Sequence, residues 1–311
     1  MLHVRVVCPA ERTDAVLALL RDRPGATHVV LGRGAALAPA GDLVEADVAR
    51  EAADGLLAGL CELGIDRDGG ITVQPVDTTL SDAGDRAQEQ APGDGADAVV
   101  WEELISRSGE ESRLNATFLA FLVIACLLAA VGAVTDSPVT VVGAMVVGPE
   151  FGPLAALAVG LVRRRRDLMR RAVLALAVGF PLAMLITAGA TALGELGGLF
   201  DRTALDTLRQ VDFIYEVGPF SLIVAMLAGA AGMLSLTSTK SAALVGVFIS
   251  VTTVPAAGFA ALAAVLGQWE RALGSSVQLV INLIGIVLSA SLVLWLRHRP
   301  VRGSGRPLSA A

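Results

Sequence analysis

Residues 137–161 read SPVTVVGAMVVGPEFGPLAALAVGL. A helix needs roughly 20 apolar residues to cross the hydrocarbon core, and this run exceeds that length with Glu150 as its only charge. Pro149 and Pro153 stand near its centre. A proline removes an amide donor and clashes with the carbonyl four residues earlier, so the carbonyls of Met145 and Pro149 are predicted to lack helical partners. The stretch reads as a membrane helix, expected over 138–162, that is broken at mid-depth beside a carboxylate.

Residues 241–266, SAALVGVFISVTTVPAAGFAALAAVL, repeat the pattern. Val142-Gly143 corresponds to Val245-Gly246. A proline follows each glycine after ten or nine residues, Pro153 in one copy and Pro255 in the other. In both, a small-residue apolar stretch leads to a charged joint, at Asp167 or Glu270. Pro255 predicts a freed carbonyl at Val251. Unsatisfied carbonyls are tolerated in a bilayer only where protein or a water-filled cavity surrounds them. Paired broken helices of this kind mark the site of many secondary transporters.

Outward from these two stretches, the chain after Arg113 divides into charge-poor runs at 116–134, 138–162, 172–194, 217–239, 241–269 and 272–296. The fold expected is therefore an α-helical polytopic membrane domain over 114–296, with six transmembrane helices. These form two three-helix repeats, inverted because each has an odd number of crossings, and the second and fifth helices are broken. Arg163, Arg164, Arg165, Arg166, Arg170 and Arg171 join the second and third spans. With Lys240 and the tail (Arg297, Arg299, Arg302 and Arg306, in 297–311) they put eleven basic residues on one side, against Arg202, Arg209 and Arg271 on the other. Positive charge stays inside, so both termini are expected in the cytoplasm of a multi-pass inner (plasma) membrane protein. The opening MLHVRVVCPA carries no signal-peptide pattern.

The first 113 residues differ in kind. They hold 10 Arg against 21 Asp and Glu, whereas the remaining 198 hold 14 basic and 9 acidic residues. The whole chain is 54% apolar and 17% charged, short of the quarter or so of charged residues in an ordinary soluble domain. One soluble globule, a disordered chain and a nucleic-acid binder are excluded on these grounds. Residues 1–80 alternate strand and helix signals: strands at 2–7, 27–31, 43–48 and 71–76, helices at 11–20 and 51–63. The order βαββαβ is that of a small ferredoxin-like α+β domain. Between the second and third strands a Gly/Pro/Ala-rich turn is expected. The string GRGAAL from Gly32 lacks the third glycine and the long helix of a dinucleotide site. Residues 81–98 read as an acidic, flexible linker. Residues 99–113 read as an amphipathic helix, with Val100, Trp101, Leu104 and Ile105 on one side, lying on the membrane surface or packed against protein. His3 and His28 lack a second ligand at metal spacing, and Cys8, Cys61 and Cys126 form no disulfide or metal pattern, so no cofactor and no metal are expected.

Glu150 is the focus of the functional reading. A carboxylate at mid-bilayer is costly and marks a cavity or ion path, and no Arg or Lys shares its depth. The candidate substrate or ion site comprises Glu150, Met145, Gly148, Pro149, Gly152, Pro153, Val251, Thr252, Thr253, Pro255, Gln278 and Asn282. The expected ligand is a proton, another cation or a small polar solute with positive charge. Gln278 and Asn282 share a face of the sixth span, and either complete the site or bond neighbouring helices together. Ala144, Gly148, Gly152, Ala156 and Gly160 form a small-residue stripe for close helix approach, within one chain or between subunits, and a homo-oligomer is expected.

The run DSPVTVVGAMVVGPEFGP, with the later KSAALVGVFISVTTVP, resembles the bacterial and archaeal membrane family catalogued as domain of unknown function 389. The resemblance rests on an aspartate-serine-proline turn followed by GAM and GP at fixed spacing, and it covers about residues 114–296. It implies a polytopic inner-membrane protein, often with a ferredoxin-like amino-terminal domain, and no assigned activity. In that family the position of Glu150 is commonly apolar, so the ion-binding reading belongs to this chain and close relatives.

Two functions follow. One is a transporter or channel-like permease, gated or not by the cytoplasmic domain. The other is a non-transporting membrane sensor or scaffold whose cytoplasmic domain binds a ligand or partner. The spans carry no histidine, no paired carboxylates and no nucleophile–base spacing, so an enzyme is not expected and no catalytic residue is assigned.

Overall fold

The computed structural model describes residues 1–76, 78–91, 99–201, 205, 218–237 and 253–298. The chain divides into two compact units, one from Met1 to Ser106 and the other over most of the chain from Arg107 onward.

In the first unit β1 (Leu2–Cys8) is followed by a 3-10 turn and α1 (Thr13–Arg21), then β2 (Ala26–Leu37), β3 (Ala40–Val48) and α2 (Arg50–Glu62). A short α3 (Ile65–Asp68), β4 (Gly70–Pro75), α4 (Asp82–Gln90) and α5 (Trp101–Glu111) complete the series. The sheet order is β2-β3-β1-β4, with every pair antiparallel. This is the ferredoxin-like arrangement that the βαββαβ order implies. Side chains alternate across a strand, so Leu2, Val4, Val6 and Cys8 all point to one face. There they meet Val44, Ala46 and Val48 of β3 and the apolar sides of α1 and α2 at Val16, Leu20, Leu56 and Leu60. Full burial of a leucine contributes about 1.5–3 kcal/mol, and Leu2, Leu56 and Leu60 are completely covered.

Two local expectations are corrected here, and for α5 one of two open alternatives is met. The Gly/Ala-rich stretch taken for a wide turn is strand: Gly32 pairs with Leu43 and Ala36 with Gly41, with a register shift between Gly32 and Ala36. A bulge, with Gly34 at φ +64°, absorbs the residues that lack strand preference, and GRGAAL is a strand segment. The flexible linker contains a helix, α4. Ser81 caps it by accepting hydrogen bonds from the amides of Ala83 and Gly84. The first turns of α5 pack on protein: Val100 joins the core of the unit, the Trp101 amide donates to Asp54, and Arg50 pairs with Glu103 at 3.0 Å.

The second unit is helical: α6 (Ala116–Val134), α7 (Pro138–Val147), α8 (Phe151–Arg163), α9 (Arg166–Leu196), α10 (Pro219–Thr237), α11 (Val254–Val265) and α12 (Trp269–His298). Asn115 caps α6 by accepting from the Phe118 amide at 2.7 Å, and Ser137 caps α7, whose first residue is Pro138. Four helices, α6, α9, α10 and α12, are long and apolar enough to cross a membrane. The pair α7 and α8 passes the same test together, bent by 53° at its break. The expectation of six spans is thus reduced to four or five among the described residues, because α11 has only 12 residues. The first part of the span expected over 241–269, with Val245 and Gly246, lies outside the described residues, as do Arg202, Arg209, Lys240, Arg299, Arg302 and Arg306, whereas Arg297 falls in the last turn of α12.

The basic joint is shorter than expected. Arg163 ends α8, Arg164 turns with φ +55°, and α9 begins at Arg166. Arginine is a good helix former, so the helix runs on through Arg170 and Arg171. Close approaches fix the packing of α6. A Cβ at Gly132 would overlap Val141 of α7, and one at Gly258 of α11 would come within 2.6 Å of the Cys126 carbonyl.

Candidate functional site

The break between α7 and α8 is three residues long. Gly148 leaves the helix in an extended conformation, Pro149 follows, and Glu150 occupies the N-cap of α8. Pro153 is the third residue of α8 and does not break it. In the same way Pro255 is the second residue of α11, whose N-cap is Thr253. A proline in the first turn forfeits no helical bond, since those amides have no acceptor in the helix anyway. The first regular bonds run from the Leu154 amide to the Glu150 carbonyl at 3.2 Å and from the Ala257 amide to the Thr253 carbonyl at 3.0 Å.

The two N-caps meet. The Thr253 hydroxyl donates to Glu150 Oε1 at 2.5 Å, across 103 residues of sequence. Both side chains are completely buried. The wall is apolar: Ala125, Cys126 and Ala129 of α6, Ala144 of α7, Leu154 of α8 and Val254, Ala256 and Ala257 of α11 belong to one buried cluster.

The structure therefore brings together Glu150, Gly148, Pro149, Gly152, Pro153, Thr253 and Pro255. Met145 packs elsewhere, among Ala130, Val141, Phe259 and Leu262. Val251 and Thr252 lie outside the described residues. The bonds found for Gln278 and Asn282 run to Ser221 of α10: Gln278 Nε2 donates to Ser221 Oγ at 2.9 Å, and Ser221 Oγ donates to Asn282 Oδ1 at 3.3 Å.

A cleft of about 370 Å³ opens beside the break, lined by Gly148, Pro149, Phe151 and Gly152 and by Glu110, Glu111, Arg113, Asn115, Phe118 and Phe121. Gly152 lies against the end of α5, where a Cβ would approach the Glu111 carbonyl to 2.9 Å. Sequence reading missed the contribution of α5 and of Phe118. The only local signal was the dense GPEFGP, in which a glycine at the second helical position marks a close approach.

The first unit holds a polar cluster that sequence reading also missed, because it depends on strand register. His3 is paired with Asp47 across β1 and β3. Both histidines reach this carboxylate, His3 Nδ1 on Oδ1 and His28 Nδ1 on Oδ2, each at 2.8 Å, and His28 Nε2 meets Ser81 Oγ at 2.8 Å. His28 has φ +50° at a register shift in β2, a bulge that re-aims its ring. Burial raises the Asp47 pKa, but the hydrogen bonds and charge of His3 and His28 outweigh it and hold the group below its ordinary 3.8. Beside it, a groove of about 210 Å³ is lined by His3, Arg5, Glu45, Thr72 and Gln74. Cys8 and Cys126 are buried and Cys61 is half-buried; all three are free thiols. Among the described residues no group of three or more His, Cys, Asp or Glu is placed to hold a metal.

Comparison with known proteins agrees with the motif reading. Residues 145–288 match the family model described as "Domain of unknown function (DUF389)". The chain is 24% identical over 206 residues to an uncharacterized protein of Methanocaldococcus jannaschii, a match covering 66% of this chain and 62% of that relative. The match thus takes in less than two thirds of that relative's length. No solved structure matches the chain.

Proposed function

We infer that this chain, which carries a DUF389 domain, is a multi-pass membrane protein that moves a small solute or ion, with its site at the junction of α8 and α11. The observation that carries the reading is the buried hydrogen bond between Thr253 and Glu150, which joins two helix starts inside an apolar bundle. Helices that begin within a membrane expose polar backbone at that depth, which is the recurring design of carrier sites. The apolar helix lengths support the membrane setting, and the repeated sequence supports an inverted pair of three-helix units. In this reading both termini face the cytoplasm, the protein moves its ligand without transforming it, subunits associate through the small-residue face of α7 and α8, and Glu150 takes up and releases a proton as the ligand passes.

The test is reconstitution. Proteoliposomes loaded with a pH-sensitive dye and driven by a potassium diffusion potential report proton movement, and the expected outcome is flux in the native chain that Glu150→Gln abolishes. Equal flux in the two would remove Glu150 from the mechanism. The sensor or scaffold reading predicts no flux in either, with small-molecule binding confined to the first unit.

A further inference from the structure

Helices α10 and α12 run side by side in the same direction. Ser221 meets Gln278 and Asn282, Leu222 and Ala225 meet Gly285, and a Cβ on Gly229 would overlap Ser289. On α12, Ser275, Gln278, Asn282 and Ser289 follow one another at spacings of three, four and seven, so they share one face. At 1.5 Å per residue that face extends about 21 Å, most of a hydrocarbon core. Ser221 and Ser235 are likewise 14 residues apart on one face of α10. All four polar residues of α12 are at most 5% exposed.

Some of these groups satisfy one another. Gln278 Nε2 and Asn282 Oδ1 share Ser221 Oγ, and the Ser289 hydroxyl donates to the Ile286 carbonyl at 3.1 Å. Three are not satisfied: Ser275 Oγ, Gln278 Oε1 and Ser235 Oγ are buried oxygens with no hydrogen-bond partner among the described residues. An unmet polar group in an interior costs about 1–3 kcal/mol. Bonding between helices would explain a closed network, but three open oxygens along a seam call for a guest that supplies hydrogen bonds. Every polar side chain named on the seam is a neutral amide or hydroxyl, set among apolar neighbours such as Leu222 and Ala225, so the guest is uncharged.

We propose that the seam between α10 and α12 is a hydrated track that binds water and small uncharged solutes rich in hydroxyl or amide groups, with Gln278 Oε1 accepting from the guest and Ser275 Oγ beside it. The proposal rests on the membrane reading above, and it names the class of solute. None of the seam's hydrogen bonds found here reaches Glu150, so the two sites are tested separately.

The full chain, with Cys8→Ser, Cys61→Ser and Cys126→Ala, is reconstituted carrying Ser275→Cys, Gln278→Cys or Leu294→Cys. Leu294 is completely buried on another side of α12. A charged, water-soluble thiol reagent is expected to label the first two at least about tenfold faster than the third, because a dry position reacts only after local opening. Rates equal to that of Leu294→Cys overturn the track. Glycerol in excess is expected to slow labelling of Gln278→Cys; no slowing overturns the solute assignment. Ser275→Ala in the native background gives a second readout. A hydrated hydroxyl loses its water bonds, so the midpoint of thermal unfolding stays or falls, whereas a rise shows a dry hydroxyl and overturns the proposal. Slow labelling with proton flux intact defeats the track and leaves the Glu150 reading standing, and fast labelling without flux does the reverse.

Discussion

Thr253 and Glu150 each start a helix, and each depends on the other for burial. Removing the donor leaves a covered carboxylate one hydrogen bond short, so Thr253→Val is expected to lower stability by about 1–3 kcal/mol while Thr253→Ser retains it. Thermal unfolding of the three proteins in detergent decides this, and a valine variant as stable as the native chain would show that the bond contributes nothing. Gly152 sets a steric limit at the same place. An added methyl meets the Glu111 backbone, and Gly152→Ala is expected to cost about 1–3 kcal/mol by overpacking in the same assay. Asp47 gives a pH signature in the first unit. Its folded pKa lies below 3.8, so the stability it contributes is fully present above that value and is lost as pH falls through the lowered one. Hydrogen exchange in residues 2–8 and 40–48 should therefore rise on acidification more in the native chain than in Asp47→Asn. Equal acid responses would show that the histidine contacts do not hold the carboxylate down. Glu150 was legible as a lone charge in an apolar run, whereas Asp47 was not, because only the β1–β3 register places His3 beside it.

Elements were legible where a face was buried and obscure where a cap or a partner made them. Strand β1, read at 2–7, is found at Leu2–Cys8 because alternation fixes which side is covered. Helix α4 has almost no apolar surface to announce it. It depends on the Ser81 cap, itself bonded to His28, and buries only Gly84 and Ala87. Ser81→Ala is expected to cost about 1 kcal/mol locally. The check is amide exchange over residues 82–90, which should accelerate with little change in β1. The breaks in the long spans were legible as regions but not as positions. Pro153 and Pro255 read as interior residues of long spans, whereas both sit in first turns where an amide is dispensable. The true discontinuity, Gly148 to Glu150, precedes them.

At the scale of the molecule, composition divides the chain into an acidic soluble part and an apolar helical part, and the structure finds two compact units. The number of crossings was less legible, since hydropathy marks a 29-residue run at 241–269 as one span while only a 12-residue helix of it is described. Charge asymmetry argues the orientation: reporters fused at either end should behave alike, a green fluorescent domain bright and alkaline phosphatase inactive. Opposite behaviour at the two ends would mean an odd number of crossings.

The bond between Thr253 and Glu150 also bears on how such a chain is made. Glu150 leaves the ribosome 103 residues ahead of its partner. At roughly 5–20 residues per second, the helices already made wait about 5–20 s with their carboxyl group uncovered. During that interval the insertion machinery must shelter the unfinished half, or the group must stay protonated. A stalled or truncated product ending before residue 253 is therefore a natural target for membrane quality control.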